Sequence, residues 1–451
     1  MRKIILSASF VFAAFAVSAQ TNNSAVTTTG ESNTAAVDQI GNDNRSTVAQ
    51  DGIANTATVR QGSDLFIAGY AVAEQSQIGN DNVATIEQEE FNNTAVQSQN
   101  GEGNIATVEQ NLITFGEGNE ATQSQTGVEN DAITLQNGIG NEANVRQGSD
   151  LFASEGGVAF QEQFGLFNEA NIVQEEFDNT ATQLQDGVEN SATVEQNLFF
   201  FGGGNTATQT QLGSGNTGLT FQDGSENEAI IQQGSAFFSS DDGFAGQIQE
   251  GDNNFAIITQ EEVANEAVQF QTGLNNVAEV EQNLFFFGGE NESTQDQTGD
   301  DNEAFTFQDG TGNTATTTQG NFFFTSRTGF AIIEQIGDEN TASIRQEEDL
   351  NVGRQFQLGD GNTANIVQNN LTFGGENLAV QNQFGDFNFS SATQNGSLNS
   401  SDILQFGNNN SATDSQRGLS NTATTFQDGA FHVSTITQNG TSNIATVNQS
   451  N

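Results

Sequence analysis

The chain has 451 residues with no cysteine, no proline and one histidine, and 58 acidic side chains against 9 basic ones. That composition excludes a disulfide framework, a thiol nucleophile and any cysteine-based metal site, and a net charge of −49 repels nucleic acid and anionic lipid. An ordinary chain is about 5% proline; complete absence suits a backbone that commits every N–H to a sheet ladder and cannot lose a donor.

Residues 1–19 read as a secretory signal peptide: Arg2 and Lys3 start it, Ile4 to Ala16 form an apolar run, and Val17, Ser18 and Ala19 make a small-residue cleavage site. Without it the chain keeps seven arginines, no lysine and a net charge of −51. No later stretch is apolar enough to cross a membrane, so no membrane span is expected. Residues 20–32 are a polar N-terminal leader holding one degenerate repeat unit at Asn23.

From 33 to 451 the chain is one repeat array. Its unit is Asn55-Thr-Ala-Thr-Val-Arg-Gln61, found in 35 copies between Asn33 and Gln449, most of them starting 11 residues after the last. Seven residues with a small/aliphatic row, then a Gly-containing break, predict a strand and a turn. Many in register predict a solenoid. Alternate strand residues share a face, which places Asn55, Ala57, Val59 and Gln61 inside and Thr56, Thr58 and Arg60 outside. The same inward row is Asn104, Ala106, Val108 and Gln110; Asn190, Ala192, Val194 and Gln196; and Asn443, Ala445, Val447 and Gln449. A buried, unpaired amide costs about 1–3 kcal/mol. Identical amides stacked about 4.8 Å apart satisfy one another as ladders, so every rung must carry the same amide at the same place. Turns of the form Gln-x-Gly-x-x-Asn, as in Gln77 to Asn82, put Gly at a positive φ and Asn or Asp at a left-handed corner.

A longer period of 86 residues lies above the first. Insertions after Gly62, Gly148, Gly234 and Gly320 carry Phe66, Phe152, and Phe322, Phe323 and Phe324; a second set carries Phe115, Phe199, Phe200, Phe201, Phe285, Phe286 and Phe287. These loops either cover the edges of the arch or stick rods together laterally. The fifth position of the unit alternates, Gln75, Ile86, Gln97, Val108, then Gln123, Thr134, Val145, with one change of phase per block. That alternation suits two strands facing each other in each coil. The expected fold is therefore all-β: a parallel two-sheet β-solenoid, a cross-β stack of β-arches, of about 35 strands with two per coil. A block of seven strands is odd, so successive blocks put their outward apolar pairs, Ile133 and Leu135, Leu219 and Phe221, Phe305 and Phe307, on opposite sides.

Catalysis finds no support. His432 occupies a first-position slot normally held by Asn, and the pairs Glu89-Glu90, Glu175-Glu176 and Glu261-Glu262 recur with the block and belong to the repeat. Acidic corners such as Gly299 to Asn302 invite comparison with calcium-binding nonapeptide solenoids, but the spacing is 11 and corners such as Gly213 to Asn216 carry no acid. Neither a cofactor nor a metal is expected.

The pattern Gln-x-Gly-x-x-Asn-x-Ala-x-x-x-Gln, with Gln125 to Gln136 a close instance and Val145-Arg-Gln-Gly-Ser-Asp150 a recurring phrase, resembles the curlin repeat of bacterial curli fibres. The resemblance covers residues 33–451. It implies a secreted subunit that passes an outer-membrane curli-type secretion channel of a Gram-negative-type bacterium, meets a nucleator subunit, and polymerises with itself into extracellular functional amyloid at the cell surface. It carries the family's stacking role onto Asn55 and Gln61, Asn104 and Gln110, and Asn443 and Gln449. The chain departs from the family in its several-fold larger number of repeats, its Phe-rich insertions, and strands that begin with Asn where curlins usually have Ser. The last strand stops two residues before Asn451, which leads us to expect an uncapped sheet end able to recruit the next chain. The competing expectation is a monomeric solenoid adhesin that displays Phe-rich loops on a stalk.

Overall fold

The computed structural model describes residues 21–63, 66–112, 116–149, 152–197, 202–235, 238–283, 288–321, 325–369 and 374–450. The expected secretory segment, residues 1–19, and the loop residues Phe115, Phe199, Phe200, Phe201, Phe285, Phe286, Phe287, Phe322, Phe323 and Phe324 lie outside the described residues. Among those described the chain is all β, with 44 strands and no helix. Eight of those strands are only two residues long and sit at corners.

The chain forms two compact units, Met1–Ser225 and Glu226–Asn451. In the first, Asn23–Glu31 lies parallel and in register on Arg45–Ile53, that strand on Val72–Asn80, and that one on Thr94–Glu102. The intervening strands stack separately: Thr34–Gln39 on Thr56–Gln61, then Val83–Gln88, then Ile105–Gln110. Successive long strands thus belong to alternate walls, and each coil contributes one strand to each. The second unit repeats the construction, with Phe244–Asp252, Glu266–Leu274 and Glu292–Asp300 in one wall and Phe255–Gln260, Val277–Gln282 and Glu303–Asp309 in the other. This is the parallel two-sheet β-solenoid, two strands per coil, that the fifth-position alternation predicts.

Burial alternates residue by residue, as in Thr56–Gln61, where Ala57, Val59 and Gln61 are buried and their neighbours are half-exposed. The third position is small because the facing wall is close. Gly353 holds that place opposite Ile344, and a Cβ there would lie 2.9 Å from Ile344 Cγ2.

The corners explain the spacing of glycine. Gly79 has φ +112 and Asp81 φ +55, as the Gln-x-Gly-x-x-Asn pattern predicts. Each strand-end glycine packs directly on the next coil: a Cβ on Gly165 would fall 2.0 Å from Gly187 O. The left-handed corner is less selective than the sequence pattern suggests, for Phe167 (φ +56) and Phe387 (φ +55) also occupy it. Each of these rings lies on the corner glycine of the preceding coil, Gly140 and Gly361, where a Cβ would meet ring carbons at 2.7 and 2.6 Å. Covering bare backbone with an aromatic ring offsets the conformational cost of about 1–2 kcal/mol.

The insertions leave the register intact. Ser63 N donates to Phe66 O while Phe66 N donates to Ser63 Oγ, which pinches the loop shut. The chain then rejoins the glycine column at Ala68, opposite Gly41. The loop after Gly148 closes in the same way and returns at Ser154, opposite Gly127.

A direct test contrasts two glycines. Gly165→Ala should cost more than about 4 kcal/mol in denaturant unfolding, because backbone cannot yield to the new methyl. Gly118→Ala, with φ +71 and nothing within 4 Å of its Cβ position, should cost only about 1–2 kcal/mol of left-handed strain.

Candidate functional site

The feature that distinguishes this solenoid is its buried amides. At the seventh position of one wall, Gln61 Nε2 donates to Gln88 Oε1 (3.0 Å), Gln88 to Gln110 (2.8 Å), Gln110 to Gln136 (2.8 Å) and Gln136 to Gln163 (2.9 Å). The facing wall carries the equivalent series Gln50, Gln77, Gln99, Gln125 and Gln147. Each amide also reaches across the core. Gln61 Nε2 lies 3.1 Å from Arg45 O and Gln110 Nε2 lies 3.0 Å from Thr94 O, both on the opposite wall. One side chain therefore ties coil to coil and wall to wall, using both amide hydrogens and its carbonyl.

The first-position asparagines form a second pair of ladders at the corners. Asn82 Nδ2 donates to Asn55 Oδ1 (3.1 Å), and Asn104 Nδ2 to Asn82 Oδ1 (3.0 Å). The main-chain N–H of Asn104 joins the same oxygen of Asn82 at 3.1 Å, so the side chain also fixes the turn. The two ladder types point in opposite directions. Between like side chains, glutamine donates to the following coil, whereas asparagine accepts from it and sends its other amide hydrogen to a glycine carbonyl there, as Asn82 Nδ2 to Gly101 O (3.0 Å). The second unit has the same polarity, with Gln260 donating to Gln282 and Asn276 to Asn254.

None of Asn55, Ala57, Val59, Gln61, Asn104, Ala106, Val108, Gln110, Asn190, Ala192, Val194 and Gln196 is more than 1% exposed. Asn443, Ala445, Val447 and Gln449 alternate inward in the same manner but are half-buried, each with a coil on one side only. His432 takes the asparagine place in its column: its main-chain N–H donates to Asn410 Oδ1 at 3.0 Å, while its ring Nε2 lies 3.0 Å from Asp428 O. Phe152 closes its turn against Ser149 and is 38% exposed, and Phe66 is half-buried.

A third glutamine ladder runs through the middle of the core and changes walls. Gln75, Gln97 and Gln123 stack on one wall, and Gln161, Gln183 and Gln209 on the other. Between them sits Thr134, whose Oγ1 accepts from Gln123 Nε2 at 3.1 Å and donates to Gln161 Oε1 at 3.4 Å. Thr220 and Thr306 receive Gln209 and Gln295 in the same way, at 3.0 and 3.1 Å. At Thr134 the change of phase is thus a hydroxyl relay that carries an amide stack across the core, whereas Thr220 and Thr306 close the stacks that reach them: Gln247 Oε1 begins the next stack without a partner, and Ile333 follows Thr306.

Asp414 breaks the pattern. It occupies the fifth, inward position of its unit and is 1% exposed, between Ala392 and Ile436 on its own wall. Ser401 Oγ donates to it at 2.8 Å and Thr425 Oγ1 at 3.2 Å. Burial raises its pKa above the ordinary aspartate value; those two hydrogen bonds oppose the rise, and Asp402 on the neighbouring strand adds to it. Its position in Asn410-Ser-Ala-Thr-Asp-Ser-Gln416 was a visible signal of a buried acid.

The outer faces carry carboxylates and few cations. Arg60 pairs with Glu87, Arg146 with Glu175 (2.8 Å) and Arg345 with Glu347 (2.6 Å). The recurring glutamate pairs sit at corners, where burial and then the adjacent Glu89 raise Glu90. Among the described residues no group of three or more His, Cys, Asp or Glu is arranged to hold a metal ion, and no helix is long and apolar enough to cross a membrane. The curlin associated repeat matches the chain at residues 30–62, 299–347 and 418–450. No curated protein matches it.

Two substitutions probe these interiors. Thr134→Val keeps the shape, leaves Gln123 Nε2 the longer bond to Ala132 O (3.2 Å), strands the oxygen of Gln161, and should cost about 1–3 kcal/mol in equilibrium unfolding. Asp414 holds its proton more tightly folded than unfolded, so its stabilisation is complete below the ordinary aspartate range and is lost as pH rises through the raised value. Asp414→Asn should therefore raise the unfolding midpoint at pH 7 and leave it unchanged at pH 3, a difference that melts of both chains across that range would reveal.

Proposed function

We propose that this chain of curlin associated repeats is a secreted structural subunit that polymerises end to end into extracellular amyloid-like fibres. Such fibres serve biofilm matrix and adhesion at the surface of a Gram-negative-type bacterium, and the subunit is not an enzyme. The observation that carries the reading is the fixed polarity of the amide ladders. Among the described residues, the coil that holds Thr34–Gln39 offers Gln39 Oε1 with no side chain donating to it, while the coil that holds Ile444–Ser450 offers Gln449 Nε2, whose one partner there is Val433 O at 3.1 Å. Donor and acceptor are the two halves of the bond that joins every interior coil. A second molecule added in register would complete it and would continue both sheets. Addition in the reverse sense would set donor against donor, so growth is head to tail. A curli-type secretion channel and a nucleator subunit are the partners this reading requires.

The stalk-like adhesin reading draws on Phe152 and Phe238, each 38% exposed where a loop closes. Sedimentation separates the two, since an adhesin remains a single rod at micromolar concentration while a fibre subunit converts to pelletable filaments that bind amyloid dyes.

A paired substitution tests the inward amides in that conversion. Gln196 accepts from Gln174 and donates to Gln222, both at 2.8 Å, whereas Glu195 points outward on the same strand. Gln196→Ala leaves a donor and an acceptor unpaired, at about 1–3 kcal/mol each, and should slow dye-monitored assembly at least about tenfold more than Glu195→Ala. Equal rates for the two variants would remove the amide ladder from the mechanism.

A further inference from the structure

On the outer face of one wall of the second unit, three consecutive strands form a shallow groove of about 180 Å³. Its outward residues are Glu279 and Glu281, Phe305 and Phe307, and Ile332 and Glu334. Register sets Phe307 directly between Glu281 on one side and Glu334 on the other. The groove is too small for a whole ligand of ordinary size, which needs about 300 Å³ or more, but it holds one long side chain. Neither Glu281 nor Glu334 has an ion-pair partner among the described residues. Burial raises both, and Glu279 raises Glu281 further, so these carboxylates are partly shielded from water and uncompensated.

The same wall already shows what such a surface attracts. One strand further along, Arg354 places its guanidinium carbon 5.4 Å from the centroid of the Phe330 ring. A guanidinium is weakly hydrated and planar, stacks on aromatic faces and pairs with carboxylates at its edge. The arrangement also recurs two blocks earlier, in the first unit, where Leu135 lies between Glu109 and Glu162. There the apolar member has no π face, and while burial and then Glu87 raise Glu109, Arg60 opposes the rise.

We infer that the groove between Glu281, Phe307 and Glu334 is a docking site for an arginine side chain of a cationic, amphipathic partner segment. The guanidinium lies on Phe307 with a carboxylate to each side, and the partner's neighbouring apolar residue covers Phe305 and Ile332. The site is on an outer wall, so it is available on a single chain and on the side of a filament, and it does not depend on the fibre reading. Arginine is the fitting cation because a lysine ammonium would lose more hydration for a weaker contact with the ring.

The test is binding of a fluorescent extended peptide of alternating arginine and leucine to the full chain, read by anisotropy at about 0.15 M salt, where exposed charges more than about 8 Å apart are screened. Three double variants are compared: Phe305→Ser with Phe307→Ser, Glu281→Gln with Glu334→Gln, and, as a charge-matched control, Glu228→Gln with Glu266→Gln at exposed outward positions. Both groove variants should weaken binding about tenfold, and the control less than about twofold. Replacing the peptide's arginines by lysines should weaken it severalfold. The carboxamide variant keeps the shape of the wall, so its result stands even where the serine variant alters folding. Losses no greater than the control's, or absence of saturable binding to the unaltered chain, would overturn the assignment and leave only diffuse attraction to an acidic rod.

Discussion

The structure depends on a primary amide having two hydrogens and a carbonyl that must all be used once it leaves water. Gln110, at the strict seventh position, meets this in full, whereas at the less regular fifth position Gln75 Oε1 and Gln247 Oε1 begin their stacks unpaired. The Oε1 of Gln110 accepts from Gln88, and its Nε2 donates both to Gln136 Oε1 and to Thr94 O on the opposite wall. Repetition supplies the first two partners, and the facing strand supplies the third. A leucine at such a place would bury well but would leave the Gln above and the Gln below without partners, at about 1–3 kcal/mol each. The repeat is therefore strict for a reason that ordinary hydrophobic cores lack. Volume-conserving exchange, which cores tolerate readily, fails where each side chain is the hydrogen-bond partner of its own copy.

Opposed ladder polarity follows from where each amide is attached. The long glutamine side chain reaches into the core and turns its N–H groups onward to the next coil. The short asparagine stays at the corner and turns its oxygen there, where the next coil's main-chain N–H waits, as Asn82 N does for Asn55 Oδ1 (3.1 Å). An edge built this way presents a mixed pattern of donors and acceptors, and that pattern matches only the opposite edge in the parallel sense.

Much of this was legible in the sequence, because a strand's two-residue period and the need for identical rungs both leave marks in the chain. Inward and outward faces, corner glycines, and two strands per coil all follow from residues such as Ala57, Gly79 and the alternation from Gln75 to Val108. What escaped was contact between residues far apart along the chain. The change of phase at Thr134 was visible as a pattern, but its cause, a hydroxyl linking Gln123 to Gln161 on the other wall, depends on which strands face each other. Phe167 and Phe387 at left-handed corners run against backbone preference, and only the glycine lying one coil earlier makes them reasonable. The return of each insertion to the glycine column at Ala68 and Ser154 likewise depends on the neighbouring coil and not on local sequence.

In-register stacking that favours identical residues inside works against them outside. Two carboxylates one rung apart repel by about 1 kcal/mol even at the dielectric of water, and by more where the wall shields them. The half-buried outer column is accordingly varied: Arg60, Glu87, Glu109, Leu135, Glu162 and Leu184 in the first unit, and Glu281, Phe307, Glu334, Phe356 and Asn382 in the second. Where two acids do meet, at Glu87 and Glu109, Arg60 stands next in line and pairs with Glu87. The fully exposed column nearest the corner is freer, and Glu120, Glu142 and Glu169 follow one another there because solvent and salt screen them. Apolar residues on the outer face are thus spacers first. A spacer between two carboxylates is also an apolar floor with negative walls, so the rule that lets an acidic chain stack in register creates the surface on which a guanidinium can settle.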